Sequence, residues 1–261
     1  MLRKKMSKSN RLLGWKPDLP DLRDFLYDDH HATLPFLSLK KSVDLRQNFP
    51  SIYDQGDTSS CTSQAIAAVC CFDLKIQNQP VFNPSRLFIY WNERNIEGDT
   101  NHDDGAVVRD GIKAVATYGF APETDWPFDV KKLLVKPDDK VFADATKFKA
   151  INYYRLDGTN LRQLKSALCN GHPFVTGITV YPSFEDNDGG SGLVPMPQDG
   201  EKPEGGHCVA IVGYDDGKQC FLLRNSWGVN CGDGTGHYWL PYDYLTNEQL
   251  ADDFWVIKTV T

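Results

Sequence analysis

Cys61, His207 and Asn225 are the residue types of a thiol acyl-transfer site: a nucleophile, a base and an amide to orient the base. Gln55-Gly56-Asp57-Thr58-Ser59-Ser60-Cys61 leads into the apolar run Ala65-Ile66-Ala67-Ala68-Val69-Cys70-Cys71-Phe72. That run predicts a buried helix opening at Cys61, with Ser59 or Ser60 as its N-cap. A thiol there meets the positive end of the helix dipole and unpaired backbone N–H groups, which favour thiolate over thiol. Farther on, Gly205-Gly206-His207-Cys208-Val209-Ala210-Ile211-Val212-Gly213-Tyr214 and Cys220-Phe221-Leu222-Leu223-Arg224-Asn225 flank an Asp-Gly turn and read as a β-hairpin. Its register sets His207 and Asn225 roughly opposite one another. The asparagine oxygen then accepts the imidazole N–H, fixes the tautomer and leaves the other ring nitrogen for the thiol. Trp227 is placed to shield that bond from water.

The elements that must position these residues change character along the chain. Helical patterns cover Cys61–Gln77, Ser85–Asn95 after Pro84, Val107–Tyr118 before Gly119, and Leu161–Cys169 between Asn160 and Gly171. Strand patterns cover Phe174–Tyr181, His207–Tyr214, Cys220–Arg224, His237–Leu240 and Phe254–Val260. Helices first and strands later imply an α+β fold of two lobes, with the Cys61 helix facing the His207 hairpin across a cleft. The chain shows no internal repeat, low-complexity tract or clear linker.

At this point the residues resemble the papain family of cysteine peptidases, in forms that lack a leader and carry a short N-terminal extension. The resemblance rests on Gln55, Cys61, His207, Asn225-Ser226-Trp227-Gly228, Gly232, Gly236 and Val43-Asp44-Leu45-Arg46, where mature family enzymes begin. It spans about residues 42 to 261. His207 follows Cys61 by 146 residues and Asn225 by 164, against about 130–150 in that family. The resemblance implies an endopeptidase acting through a Cys61 thiolate–His207 pair and an acyl-enzyme, with Asn225 orienting the base. Gln55 and the Cys61 backbone N–H would form the oxyanion hole. It further implies a peptidase domain over 42–261, with a helical lobe mainly in 55–170 and an antiparallel sheet or barrel lobe mainly in 171–261. Gly105 and Ala106 would bind substrate backbone, while Gly177, Gly206, Cys208 and Trp227 would line the substrate site.

The chain also departs from the family pattern. Thr58, Ser59 and Thr62 stand where the family has a disulfide cysteine, a glycine and a tryptophan, and Asp103 stands where the bridge's other end belongs. Both ends of the bridge are absent together, and the wall around the thiol must differ. Side-chain preference therefore does not carry over.

Composition fits a globular enzyme, with 261 residues and 41% apolar content. The chain holds no stretch of about 20 apolar residues and no apolar leader segment after Met1. The expectation is a monomer of the reducing cytoplasm acting on protein or peptide substrates, although export without a cleaved leader stays open. Seven cysteines permit three bridges beside a free Cys61, but Cys70, Cys71, Cys208 and Cys220 sit in apolar runs, and buried thiols are the expected state. No Cys-x-x-Cys pair points to zinc. Asp99, Asp103 and Asp104 do not fit a calcium loop, and His30-His31 reads as exposed histidines, so no metal or cofactor is expected. The net charge is −7, while Arg3, Lys4, Lys5, Lys8, Arg11 and Lys16 make the N-terminus basic. This pattern does not call for nucleic acid.

Two segments govern access in this reading. Residues 1–41 hold Pro17 and Pro20, which prevent a regular helix. They form either an extended strap that crosses and inhibits the cleft, or a structural strap on the back of a lobe. Residues 182–206 read as a loop at the cleft edge. Other functions compatible with the same catalytic residues are a thiol acyltransferase or deamidase; a silent binding homologue would keep the fold alone.

Overall fold

The computed structural model describes residues 12–29, 31, 33–185 and 190–259. The basic residues from Arg3 to Arg11 and His30 lie outside that set. In chain order the strands and α-helices are β1 (Trp15–Lys16), β2 (Ser42–Asp44), α1 (Cys61–Ile76), α2 (Arg86–Glu97), β3 (Ala106–Val107), α3 (Val108–Thr117), α4 (Asp139–Ala145) and β4 (Ala150–Arg155). There follow α5 (Leu161–Cys169), β5 (Phe174–Val180), α6 (Pro182–Glu185), β6 (Gly205–Asp215), β7 (Cys220–Arg224), β8 (His237–Pro241), α7 (Tyr242–Leu245) and β9 (Ala251–Thr259).

Seven strands form one antiparallel sheet in the order β4-β9-β5-β6-β7-β8, with β2 added beside β6. Both faces of its central strands are covered, which explains their nearly unbroken apolar runs. Alternation along β6 sends Val209 and Ile211 into one core with Phe221, Tyr238 and Phe254. It sends Cys208, Ala210 and Val212 into a second core with Ala65, Ile66 and Val69 of α1. Helix α1 is buried from Cys61 to Leu74 because its apolar residues surround the axis rather than forming a stripe.

Local chemistry sets the helix ends with one correction. Ser85 caps α2 by accepting the Phe88 N–H, and Gly98 closes it in the left-handed region at φ 77. Ser60 stands at the N-cap of α1, but its hydroxyl makes no capping bond. That oxygen instead lies 2.7 Å from Thr58 Oγ1 and accepts from Gln64 Nε2 at 3.0 Å.

The sheet draws β2 and β4 from the first two thirds of the chain, strands that carry no strong pattern of their own. The stretch before β2 wraps around the body. Trp15–Lys16 pair in parallel with Ala106–Val107. Tyr27 is buried, its hydroxyl 3.0 Å from His172 Nδ1. Leu34 donates its N–H to Ser166 Oγ at 2.8 Å. His31, read from sequence as exposed, is half-buried against Tyr27, Tyr154 and His172.

Candidate active site

The β6–β7 hairpin forms as expected, with Ala210 opposite Arg224. Beyond that rung His207 Nε2 meets Asn225 Oδ1 at 2.8 Å. The Ser226 N–H donates to the same Asn225 atom at 2.7 Å, which identifies the atom as the oxygen and puts the proton on Nε2. Nδ1 is then the nitrogen left for a thiol. Trp227 stacks on the imidazole at 4.7 Å and 27°, covering the ring as the sequence implies. Ser226 reaches the other way. Its Oγ donates to Gln55 Oε1 at 2.7 Å, and its carbonyl accepts the Gln55 N–H at 2.9 Å. One tripeptide thus fixes both His207 and Gln55.

Cys61 opens α1 and is fully buried. Burial pushes its thiol up to about 11, while the backbone N–H groups of Cys208, Gly14 and Thr62 pull toward thiolate. The helix N-terminus predicts a lowered value. In this closed arrangement desolvation dominates, because chain lies directly over the sulfur. Cys208 follows His207, so its N–H beside the sulfur ties Cys61 to the start of β6.

The covering chain is residues 12–16. Gln55 Nε2 donates to the Leu12 carbonyl at 3.2 Å as well as to the Thr58 carbonyl at 2.7 Å. Ala106 donates its N–H to the Gly14 carbonyl at 2.8 Å. A Cβ on Gly14 would lie 1.9 Å from the Ser59 carbonyl oxygen, so only glycine passes there. The Trp15 ring lies in a slot floored by glycines: a Cβ on Gly177 would meet its Cε2 at 1.9 Å, and one on Gly206 its Cε3 at 2.7 Å. Gly105, Ala106, Gly177 and Gly206 therefore all touch this segment.

A family model described as papain family cysteine protease matches residues 39–247. The chain belongs to the papain family. Its sequence is 37% identical to an uncharacterised peptidase C1-like protein of Acanthamoeba polyphaga mimivirus, covering 98% of this chain and 89% of that one. The crystal structure of xylellain, a cysteine protease from Xylella fastidiosa, superposes with a TM-score of 0.88 at 42% identity, covering 97% and 98% of the two chains. A digestive procathepsin L of Tenebrio molitor shares the fold at a TM-score of 0.68 and 19% identity, over 90% of this chain and 75% of that one.

Within this papain-family frame the departures from the usual pattern acquire physical substitutes. All seven cysteines are free. Where the family bridge would run, the Asp103 carboxylate accepts the Ser59 N–H at 3.1 Å and the Tyr90 hydroxyl at 2.5 Å. This tie joins the loop before Cys61 to the Gly105–Ala106 strip. Thr62, in the usual tryptophan position, donates its hydroxyl to buried Glu93 at 2.5 Å. Burial drives the Glu93 carboxyl well above the usual carboxylate range. Asp99, His102 and Asp104 bring possible metal-ligand atoms within 4.8 Å of one another, but Asp99 and His102 already pair at 2.6 Å on the surface. Asp103, grouped with these acids by sequence, points to Ser59 instead. The stretch before His207 places Leu193 and Val194 against Trp239 of β8, while Gly205 and Gly206 close on Leu13 and Trp15.

Sequence reasoning missed two contributors. Ser226 was visible inside Asn225-Ser226-Trp227 but carried no assigned role. Asp253 was overlooked because the strand pattern starts at Phe254, whereas β9 begins at Ala251. Two adjacent aspartates inside a strand were the available signal.

Proposed function

We propose that this protein is a cysteine endopeptidase held closed by its own N-terminal segment. Cys61 attacks the peptide carbonyl, and His207 takes the thiol proton through Nδ1 and returns it to the leaving amine. Asn225 holds the ring, and Gln55 Nε2 with the Cys61 backbone N–H receives the oxyanion. Water then hydrolyses the acyl-enzyme. The carrying observation is that Gln55, which donates to the Leu12 carbonyl at 3.2 Å, is held by the same tripeptide that orients His207. In this reading the Leu12 carbonyl takes the hydrogen bond that Gln55 would give to a substrate carbonyl.

Residues 12–16 act as the inhibitor within residues 1–41, ahead of a peptidase domain over 42–261. Their parallel pairing with Ala106–Val107 and the Gly14 backbone over the sulfur exclude a substrate from the same groups. The chemistry requires no cofactor, and the protein works as a monomer on protein or peptide substrates. Seven free thiols and a carboxylate in place of the family bridge support a reducing compartment such as the cytoplasm. Among the described residues no helix is long and apolar enough to cross a membrane.

The test is mass analysis of an internally cleavable peptide incubated with the full chain carrying Gly14→Val, whose added side chain cannot pass the Ser59 carbonyl, and with Gly14→Val, Cys61→Ala. Hydrolysis at internal bonds, lost by at least ~10³-fold in Cys61→Ala, is expected. Products carrying an added amine, or a loss of only glutamine side-chain nitrogen, would instead assign an acyltransferase or deamidase. Equal rates in the two proteins would contradict the reading.

A further inference from the structure

Strand β6 sets a second thiol against Cys61. Its alternation points Cys208, Ala210 and Val212 toward α1, and Cys208 shares a crevice with Ala65, Ala68 and Ala210 beside the first turns of that helix. Cys61 opens the helix four residues before Ala65, on the same face and one turn earlier. The Cys208 N–H approaches the Cys61 sulfur, and both side chains are buried in one core. The alanines keep larger side chains away from this meeting point. The other cysteines are engaged elsewhere. Cys169 Sγ lies 3.1 Å from the Tyr214 hydroxyl, while Cys220 donates to the Lys218 carbonyl at 3.2 Å and Cys231 to the Trp227 carbonyl at 2.9 Å. Cys70 and Cys71 lie farther down α1, roughly 14 Å along its axis from Cys61. In the closed chain Gly14 lies over Cys61. Trp15, held by Asp253 Oδ2 at 2.8 Å where the β5–β9 register shifts, lies over Gly206 and Gly177, and Gly177 pairs with Cys208. The strap therefore covers the neighbourhood of both thiols.

We propose that Cys208 is a resolving thiol, which captures oxidised Cys61 of the open chain as a reversible Cys61–Cys208 disulfide and so protects the nucleophile. The inference rests on the peptidase reading for an activated Cys61 and adds one co-reactant, a hydroperoxide. The Cys61 thiolate attacks a peroxide oxygen, the O–O bond breaks, and with hydrogen peroxide the products are the Cys61 sulfenic acid and hydroxide. The Cys208 sulfur then attacks the Cys61 sulfur, the S–O bond breaks, and the Cys208 proton leaves with the hydroxyl as water. One peroxide is reduced and the two sulfurs are oxidised together. His207, the residue before Cys208, is the base at hand for that proton. Two small-molecule thiols reverse the bond and leave as their own disulfide. Burial, then the neighbouring Cys61, raises the Cys208 thiol well above its usual range, so oxidation begins at Cys61 rather than at its partner. A disulfide needs sulfurs about 2.05 Å apart and α-carbons within roughly 4.4–6.8 Å. Only Cα and Cβ separate the Cys208 amide, which already meets the Cys61 sulfur, from its own sulfur, so side-chain rotation closes the bond. Without Cys208 the sulfenic acid goes on to sulfinic acid, which thiols do not restore.

The experiment uses full chains carrying Gly14→Val, alone and with Cys208→Ala or Cys208→Ser. Each is treated with a small excess of hydrogen peroxide, quenched with iodoacetamide, and read by intact mass and unreduced peptide mapping. Peptide hydrolysis is followed before oxidation, after it, and after dithiothreitol, each chain against its own starting rate. Gly14→Val should lose two hydrogens, yield a cross-linked Cys61–Cys208 peptide, lose its activity and regain it with dithiothreitol. Both Cys208 variants should instead gain two oxygens on Cys61, and dithiothreitol should return at least about fivefold less of the starting rate. The cross-link in Gly14→Val decides the pairing even where a Cys208 variant fails to fold. Sulfinic acid on Cys61 beside reduced Cys208, a bridge to another cysteine, an unoxidised Cys61, or equal recovery in folded chains with and without Cys208 would overturn the inference. The peptidase reading then stands wherever the untreated chain hydrolyses peptide. A Cys61–Cys208 bridge in a chain that hydrolyses nothing would support the pair and overturn the peptidase reading.

Discussion

The residues proposed for catalysis and the N-terminal chain that lies over them are held by different kinds of force. Cys61, Gln55, His207 and Asn225 belong to a helix start, a hairpin and one tripeptide, and neighbouring groups fixed by that backbone hold Gln55, His207 and Asn225. Residues 12–24 have little regular structure and depend on two other devices. One is steric: Gly14 passes a backbone oxygen that excludes a side chain, and Trp15 fills the glycine-floored slot. The other is ionic. Arg109 lies 3.1 Å from Asp18 and 2.6 Å from Asp24, while Arg155 lies 2.9 Å from Asp18 and 3.3 Å from Asp253. Four carboxylates, of Asp18, Asp24, Asp252 and Asp253, face two guanidinium groups in a cluster that is largely buried apart from Asp252. The site is thus built into the fold, whereas its cover is attached by contacts that a change in charge or one methyl group can weaken.

Gly14→Val should break that contrast most strongly. Overpacking against the Ser59 carbonyl costs about 1–3 kcal/mol or more, so peptide hydrolysis by the full chain should rise roughly tenfold to a hundredfold. Asp18→Asn attacks the ionic device. Removing one partner of a buried pair often costs ~3–5 kcal/mol, but here Asp24 and Asp253 remain to balance the two arginines. The expected rise is smaller, about tenfold, measured by the same hydrolysis rate. On the other side of the comparison, Ser226→Ala in the Gly14→Val chain should lower kcat/KM by about threefold to tenfold through loss of one buried hydrogen bond. Circular dichroism should remain unchanged. A strap-dependent change from Ser226→Ala would place that serine with the cover rather than the site.

The smallest effect is a pH dependence of the cover. Burial, then the Asp18 carboxylate, pushes Asp253 up to about 7 in the docked state. A raised carboxylate favours docking where it is protonated. Its contribution is therefore fullest below the ordinary carboxylate range, falls as pH rises toward about 7, and is flat above. Proteolytic nicking within residues 12–24 should accelerate from pH 5 to pH 7 in the wild type. Asp253→Asn should remove most of that slope.

The site was legible because its residues lie in patterned elements. The apolar run after Cys61 and the two runs around Asp216-Gly217 each announce an element, and the chemistry-bearing residue stands at its end. The fold class was legible from helices preceding strands. The strap's path was not, since Gly14-Trp15-Lys16 has no period and pairs with the equally short Ala106–Val107 across a long sequence separation. Asp253 was hidden for a related reason: a bulge breaks the alternation that would assign its side chain to a face. Ser60 shows the limit of local rules, because its hydroxyl bonds Gln64 rather than the helix N-terminus that a serine at an N-cap leads one to expect.

The most direct test is intact mass during incubation with an epoxysuccinyl peptide inhibitor, comparing the wild type, Gly14→Val and Gly14→Val, Cys61→Ala as full chains. The account predicts a single adduct, formed at least about tenfold faster in Gly14→Val than in the wild type and absent without Cys61. Equal labelling rates in the wild type and Gly14→Val, or an adduct that persists without Cys61, would contradict an activated thiol beneath a removable strap.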